Sequence, residues 1–271
     1  MPTAQQLART FLAGAERQGD RQLHMVGERL CGLSSFGLGE LILARRHFNR
    51  ALELYDRAQD LPLAHIYGLD QRVAALAYLS LTEHRLGRTK RGLRLVQDAL
   101  HEALALEHAT SIMYAQGKMI ELRMLRREWA AAERAAAEYL HSGHVARIVT
   151  QSDREAAAAV RSSIDALRRL NWNYQVTWLV FAAVEGFAAR GQAECAAEWL
   201  DDARALIEAP RQDVWIPDLH LAHAAVLAAG DAPVEAVRPV LEQAIVASRA
   251  QSARWPESRA RELLEARYCL T

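Results

Sequence analysis

The chain has 271 residues, 51% hydrophobic and 24% charged, the balance of a soluble, well-packed protein with ample material for a large core. Lys plus Arg number 33 and Asp plus Glu number 33, so a formal charge of zero excludes any general attraction to nucleic acid or to an anionic membrane. Cys31, Cys195 and Cys269 are odd in number, far apart and without Cys-x-x-Cys spacing, which argues against a disulfide framework or a zinc site and fits a reducing cytoplasm.

Alanine, leucine, arginine and glutamate dominate, and no run shows the β-branched alternation of a strand, so the sequence predicts an all-α fold. The amino terminus has neither the basic head nor the apolar run of a signal peptide. Thr3 to Arg17 reads as the second helix of a hairpin whose first helix is missing, either a cap on a stack or part of a longer parent. Helix breaks are expected at Gly19-Asp20, Gly39, Asp60 to Asp70, Gly87, near Arg127, at His141 to Gly143, near Asn171, and at Gly191. Further breaks follow at Pro210 to Pro217, Gly230 to Pro233 and Trp255-Pro256. They leave helices of roughly 14 to 20 residues with short connections, as in consecutive antiparallel pairs. The greasiest stretches, Val176 to Val184 and Leu221 to Ala229, fall short of the roughly 20 apolar residues that span a bilayer.

Two phrases repeat. Cys31-Gly32, Phe36, Gly39, Ala44, Phe48 and Ala51 are matched by Leu79-Ser80, Gly87, Gly92, Val96 and Ala99. With Gly39, Gly87, Arg127 and Gly191 as closing positions of a first helix, the residues five, nine and twelve further on repeat a small-large-small pattern. They give Ala44, Phe48, Ala51 and Ala196, Leu200, Ala203, with Ala132, Ala136 and Tyr139 as a looser copy. Small side chains there let two helices approach to about 8 Å. The pattern resembles the tetratricopeptide repeat. It departs from that consensus in lacking a tryptophan early in the first helix and a terminal proline, and in intervals longer than about 34 residues. The resemblance implies a right-handed α-solenoid of about six hairpins plus terminal helices. It would form a single domain over residues 1–271 with a softer junction near 143–173.

A second resemblance is more specific. Phe36-Gly37-Leu38-Gly39-Glu40, Ala44-Arg45, His47-Phe48, Ala51-Leu52, Leu54-Tyr55-Asp56, Leu63-Ala64, Tyr67-Gly68 and Asp70 with Val73 are similar to a phrase in bacterial signalling and regulatory proteins. In these, a class III adenylate cyclase or other output domain precedes an ATPase module and a carboxy-terminal repeat region. Trp215, Asp218-Leu219-His220, Gln243-Ala244, Gln251, Ala253-Arg254, Glu257 and Arg259-Ala260 resemble the end of that region. The resemblance covers about three quarters of the chain by this reading, and is weakest from Val145 to Asn173. Arg57 and Gln71 stand where the family has prolines, and Asp60 where it has a histidine. The chain carries only the repeat part, so the resemblance implies a partner-binding or sensory arm rather than an enzyme.

Chemical motifs are sparse. Leu86 to Gly92 lacks the first glycine of a phosphate-binding loop and follows no strand. Its cations, Arg85, Arg88, Lys90, Arg91 and Arg94, lie near a helix amino terminus that could attract an anion, though a solvated face explains them better. His141/His144 and His220/His223 are two-ligand pairs with no third ligand at metal spacing. Ser34 and Ser35 lie inside a helix rather than on a nucleophile elbow, and Cys31 takes a buried helix-crossing position. No cofactor, metal or catalytic residue is therefore expected. Projecting the repeat register onto the concave side selects Arg29, Phe36, His84, Tyr114, Glu121, Met124, Trp178, Phe181 and Glu185 as groove residues, with Trp172, Trp178 and Trp199 around one hairpin. This mixture suits an amphipathic peptide or helix. The expectation is a noncatalytic, cytoplasmic protein-interaction module; the alternative is a small-molecule sensor within a regulator, and an enzyme is the weakest reading.

Overall fold

The structure, a computed structural model, describes residues 3–128, 131, 132, 158, 161, 173–208 and 212–268. Among these the regular elements are all helical, and no helix is long and apolar enough to cross a membrane. The chain divides into two compact units, Met1–Leu122 and Arg123–Thr271. The softer junction expected near 143–173 lies almost wholly outside the described residues.

The first unit contains α1 (Ala4–Gln18), α2 (Arg21–Gly37), α3 (Leu41–Leu54), two short helices α4 (Arg57–Asp60) and α5 (Leu63–Tyr67), α6 (Gln71–Arg85), α7 (Thr89–Ala105) and the bulk of α8 (Ala109–Leu125). Short polar side chains cap the starts of α1, α2, α4 and α6. Thr3 and Gln6 form a reciprocal capping box, and Asp20, Asp56 and Asp70 accept from first-turn N–H groups, satisfying donors that a helix start leaves open. Helices α1, α2 and α3 pack in succession, α3 packs on α6, and α6 on α7.

The repeated turn is seen in atomic detail. At Gly39, Gly87, Arg127 and Gly191 the backbone enters the left-handed region, with φ of 74°, 84°, 58° and 69°. At each, the turn residue's N–H reaches back three residues, and the next N–H reaches back five: Glu40 to Ser35, Arg88 to Glu83, Glu128 to Arg123 and Gln192 to Phe187, at 2.8–3.1 Å. This closure satisfies the last carbonyls of the first helix and reverses the chain. Five, nine and twelve residues on, Ala44, Phe48, Ala51, Val96, Ala99, Ala132, Ala196, Leu200 and Ala203 are all buried, and Gly92 is buried too. A Cβ on Gly92 would stand 2.7 Å from the Ser80 carbonyl oxygen, and one on Gly32 would stand 2.7 Å from the Phe48 ring. The small residues thus set the closest approach within each hairpin.

Three boundaries differ from the sequence expectation. Between α7 and α8 the chain turns at Glu107, φ 50°, where no glycine advertises a break; His108 starts α8 by accepting the Ser111 N–H at 3.3 Å. The expected break from Asp60 to Asp70 follows directly on the short α4 and itself carries α5. The last break falls at Ser252, φ 56°, so Trp255 and Pro256 lie in the first turn of the final helix, where proline's missing donor costs nothing. Because an exposed glutamate at φ 50° pays a left-handed penalty that glycine escapes, Glu107→Gly is expected to raise stability by about 1 kcal/mol, read as a higher urea midpoint at unchanged slope.

Asp60 anchors the connection between α3 and α6. Its carboxylate is fully buried and accepts from Arg21 at 2.6 and 2.8 Å, from Gln22 at 2.9 Å and from the Asp56 N–H at 2.8 Å. Burial pushes its pKa up, but the Arg21 guanidinium and the other donors outweigh that and hold it below the ordinary carboxylate value. A depressed native pKa contributes stability that is present above the unfolded value of about 3.9 and is lost as pH falls through the lower native one. Asp60→Asn is expected to cost about 2 kcal/mol at neutral pH and to flatten the acid limb of the stability curve below pH ~4, measured by urea titrations between pH 2.5 and 7.

The second unit contains α9 (Asn173–Ala188), α10 (Ala193–Glu208), a 3-10 turn at Asp213–Trp215, α11 (Ile216–Ala229), α12 (Val234–Ala250) and α13 (Arg254–Tyr268). Helix α9 packs on α10 and α11, and α11 on α10, α12 and α13. Ala224, Val237, Val240 and Leu241 form a core joined by Leu263 and Leu264. Thr177 to Val184 are buried without interruption, because α9 is apolar on all sides and is covered accordingly.

Candidate binding site

Within the second unit a groove opens between the end of α8 and helices α9, α11, α12 and α13. Its first recess is about 50 Å³ and is lined by Met124, Trp178, Phe181, Glu185, Trp255 and Arg259, among others. An adjoining recess of about 250 Å³ shares Arg127, Glu185, Leu221 and Arg259 with it. The second recess exists because one wall of α9 and α11 is alanine: Ala188, Ala224, Ala225 and Ala228 leave space that larger side chains would fill. Phe181 packs its ring 5.7 Å from that of Trp215, which is itself buried, so the aromatic floor is rigid. The rim is charged. Arg127 donates to Glu185 at 2.7 Å, and Arg259 contacts Glu262 at 3.2 Å.

Four of the nine groove residues selected from sequence, Met124, Trp178, Phe181 and Glu185, therefore line one cavity. Met124, Trp178 and Phe181 present only 4%, 6% and 7% of their surface, as the floor of a recess does, whereas Glu185 is half-exposed at its mouth. The signal that sequence reasoning lacked was the pairing of Arg127 with Glu185 and the contribution of Arg259 from the last helix. Trp199 is buried under Arg161, whose guanidinium lies 4.4 Å from its ring centroid, and it belongs to the core. Trp172 lies outside the described residues, as do His141 and His144.

Four more of the nine lie in the first unit, Arg29 and Phe36 on α2 and Tyr114 and Glu121 on α8, arranged about α6. The Phe36 ring meets Tyr78 edge-on at 5.5 Å. The Tyr78 and Tyr114 hydroxyls are hydrogen-bonded to each other, and Lys118 lies 4.6 Å from the Tyr78 ring and 5.8 Å from that of Tyr114. Lys118 donates to Glu121 at 2.6 Å, with both side chains almost wholly buried. Burial raises both tyrosine pKa values above the ordinary range, so the hydroxyls keep their protons. Arg29 donates from Nε to Gln71 Oε1 at 2.7 Å. The ninth residue, His84, is fully buried in α6, a helix whose residues from Val73 to Arg85 are all enclosed.

The remaining motifs resolve into structure. Arg88 and Arg91 both face Glu83, at 3.4 and 3.5 Å. His220 and His223 have pKa values lowered chiefly by burial, and in addition by Arg204. Cys31 is buried, and its thiol is pushed up to about 11, mainly by desolvation. Sequence reading missed the convergence of His24 and His47 on Glu28, at 3.4 and 2.6 Å. Among the described residues no group of three or more His, Cys, Asp or Glu side chains is arranged to hold a metal. Comparison with protein-family models, with curated proteins and with solved structures finds no match to this chain.

Proposed function

We propose that this chain is a noncatalytic interaction module of tetratricopeptide type, its hairpins stacked as a right-handed solenoid, and that it serves as the partner-binding or regulatory arm of a bacterial signalling system. The observation that carries the binding role is the groove of the second unit. A rigid aromatic floor, an alanine-walled recess and a rim of both charge signs match the apolar face and charged edges of an amphipathic helix. The repeated turn with its buried small residues supports the repeat assignment, and the two sequence phrases shared with cyclase- and ATPase-linked proteins support the signalling context.

The binding role is tested with Ala225→Arg and Leu221→Arg, which place a cation in the recess on half-exposed positions. A partner recovered with the wild-type chain is expected to lose at least tenfold in affinity for both variants, while their melting temperatures stay near wild type. Unchanged affinity would refute the groove as the docking site. A second reading, a small-molecule sensor, is favoured by the recess volume of about 250 Å³, near the lower end of ligand pockets. A thermal-shift screen of metabolites separates the two, since a ligand at 100 times its Kd adds about 2.7 kcal/mol.

A further inference from the structure

Two arginines line the groove of the second unit, and they are engaged differently. Arg127 donates to Glu185 at 2.7 Å, so that pair is already neutral. Arg259 lines both recesses. Its one hydrogen bond among the described residues runs from Nη1 to Glu262 Oε2 at 3.2 Å, and that glutamate, one turn along α13, is 61% exposed. A pair so open to solvent contributes little. The Arg259 Nε is buried, and among the described residues no acceptor reaches it.

A buried N–H without an acceptor is costly, and a guanidinium cannot escape the cost by losing its proton. The edge that Nε shares with Nη2 is one that the two oxygens of a carboxylate match as parallel N–H···O bonds. The surrounding wall fixes what accompanies such a carboxylate. Around the recess of about 250 Å³ the charged lining groups are Arg127, Glu185 and Arg259, and every other lining residue is Ala, Leu or Val. With Arg127 and Glu185 cancelling, the recess turns one positive charge toward its occupant. Asp218 lines only the first recess and is engaged within the chain. Because Arg259 borders the aliphatic recess itself, a carboxylate that meets it lies within one helical turn of the group that fills the recess, the i, i+3 or i, i+4 separation.

We propose that the helix docked in this groove inserts an aliphatic side chain into the alanine-walled recess and, one turn away, presents an aspartate or glutamate to Arg259. This pairing rests on the amphipathic-helix reading of the groove and adds to it the chemistry by which the partner is recognised.

The test presents the immobilised full chain with a displayed library of helical peptides of about four turns, randomised on one face. Sequences recovered on the wild-type chain are expected to carry Asp or Glu three or four positions from a Leu, Ile or Met, and Arg259→Glu is expected to select Lys or Arg there instead. Exchanging the acidic residue of a recovered peptide for its amide is expected to weaken binding about tenfold on the wild-type chain. On Arg259→Gln the same exchange should change affinity by no more than about twofold. The wild-type selection and the amide exchange decide the matter even if a variant at Arg259 unfolds. Ala225→Arg reports on the groove separately and should abolish binding of the recovered peptides. Peptides that are lost with Ala225→Arg but show no acidic preference, or whose amide forms bind the wild-type chain equally well, overturn the pairing and leave the groove standing. Peptides indifferent to Ala225→Arg overturn both, as does a library that yields no binder. Saturable binding of sodium hexanoate through Arg259 where no peptide binds would make the occupant a free carboxylate. A dimer of the chain that Ala225→Arg dissociates would make it a second copy, and either result overturns the pairing.

Discussion

Truncating Lys118 to alanine is expected to be among the most destabilising single changes in the chain. Its ammonium and the Glu121 carboxylate are only 2% and 3% exposed and lie 2.6 Å apart, and among the described residues that lysine is the only side-chain hydrogen-bond donor to Glu121. Lys118→Ala leaves a desolvated carboxylate without its cation and also removes the ammonium from between the Tyr78 and Tyr114 rings. Breaking a buried pair from one side costs about 3–5 kcal/mol. Replacing both partners with apolar residues avoids the orphaned charge, so Lys118→Met with Glu121→Leu is expected to lie within about 1 kcal/mol of wild type. A double-mutant cycle by urea denaturation measures both outcomes. A small effect of Lys118→Ala alone would show that Glu121 recovers solvent readily.

The second large effect is expected at Gly92. A side chain there meets the α6 backbone rather than a movable side chain, with the Ser80 carbonyl oxygen at 2.7 Å and the His84 nitrogen at 3.2 Å from the Cβ position. Helices α6 and α7 would have to separate, opening contacts around Val96 and Ala99 along the whole pair. Gly92→Leu is expected to cost about 3 kcal/mol, the upper end of ordinary overpacking. Gly14 is the control: its Cβ position meets nothing closer than 4.0 Å, so Gly14→Ala is expected to gain about 0.5–1 kcal/mol from helix propensity. Circular-dichroism melts of the two variants should move in opposite directions.

What sequence could reveal follows from where the constraint is local. Ala44, Ala51, Ala99, Ala196 and Ala203 are small because two backbones meet there, and a constraint that recurs at fixed offsets from a turn is visible as periodicity. Glu107 could not be found this way. Its left-handed backbone is imposed by the helices on either side, and nothing in the residue announces it. The groove residues divide for a related reason. Register arithmetic places Met124 near the end of α8 and Trp178, Phe181 and Glu185 on one face of α9, and these positions do border a cavity, whereas the same arithmetic places His84 on α6, which is enclosed on every side. Val73 to Leu81 held the clue, because a helix with no polar face is a helix with no free side. Pairings across long separations, Arg29 with Gln71 and Arg21 with Asp60, had no periodic signature at all.

Hydrogen exchange of the chain with and without its bound partner tests the central claim most directly. Partner binding is predicted to slow exchange in α9, α11, α13 and the Val237 to Leu241 part of α12, which border the groove, and to leave α10 near its unbound rate. Protection confined to α10, or a bound partner that protects none of these helices, would contradict a groove-binding module.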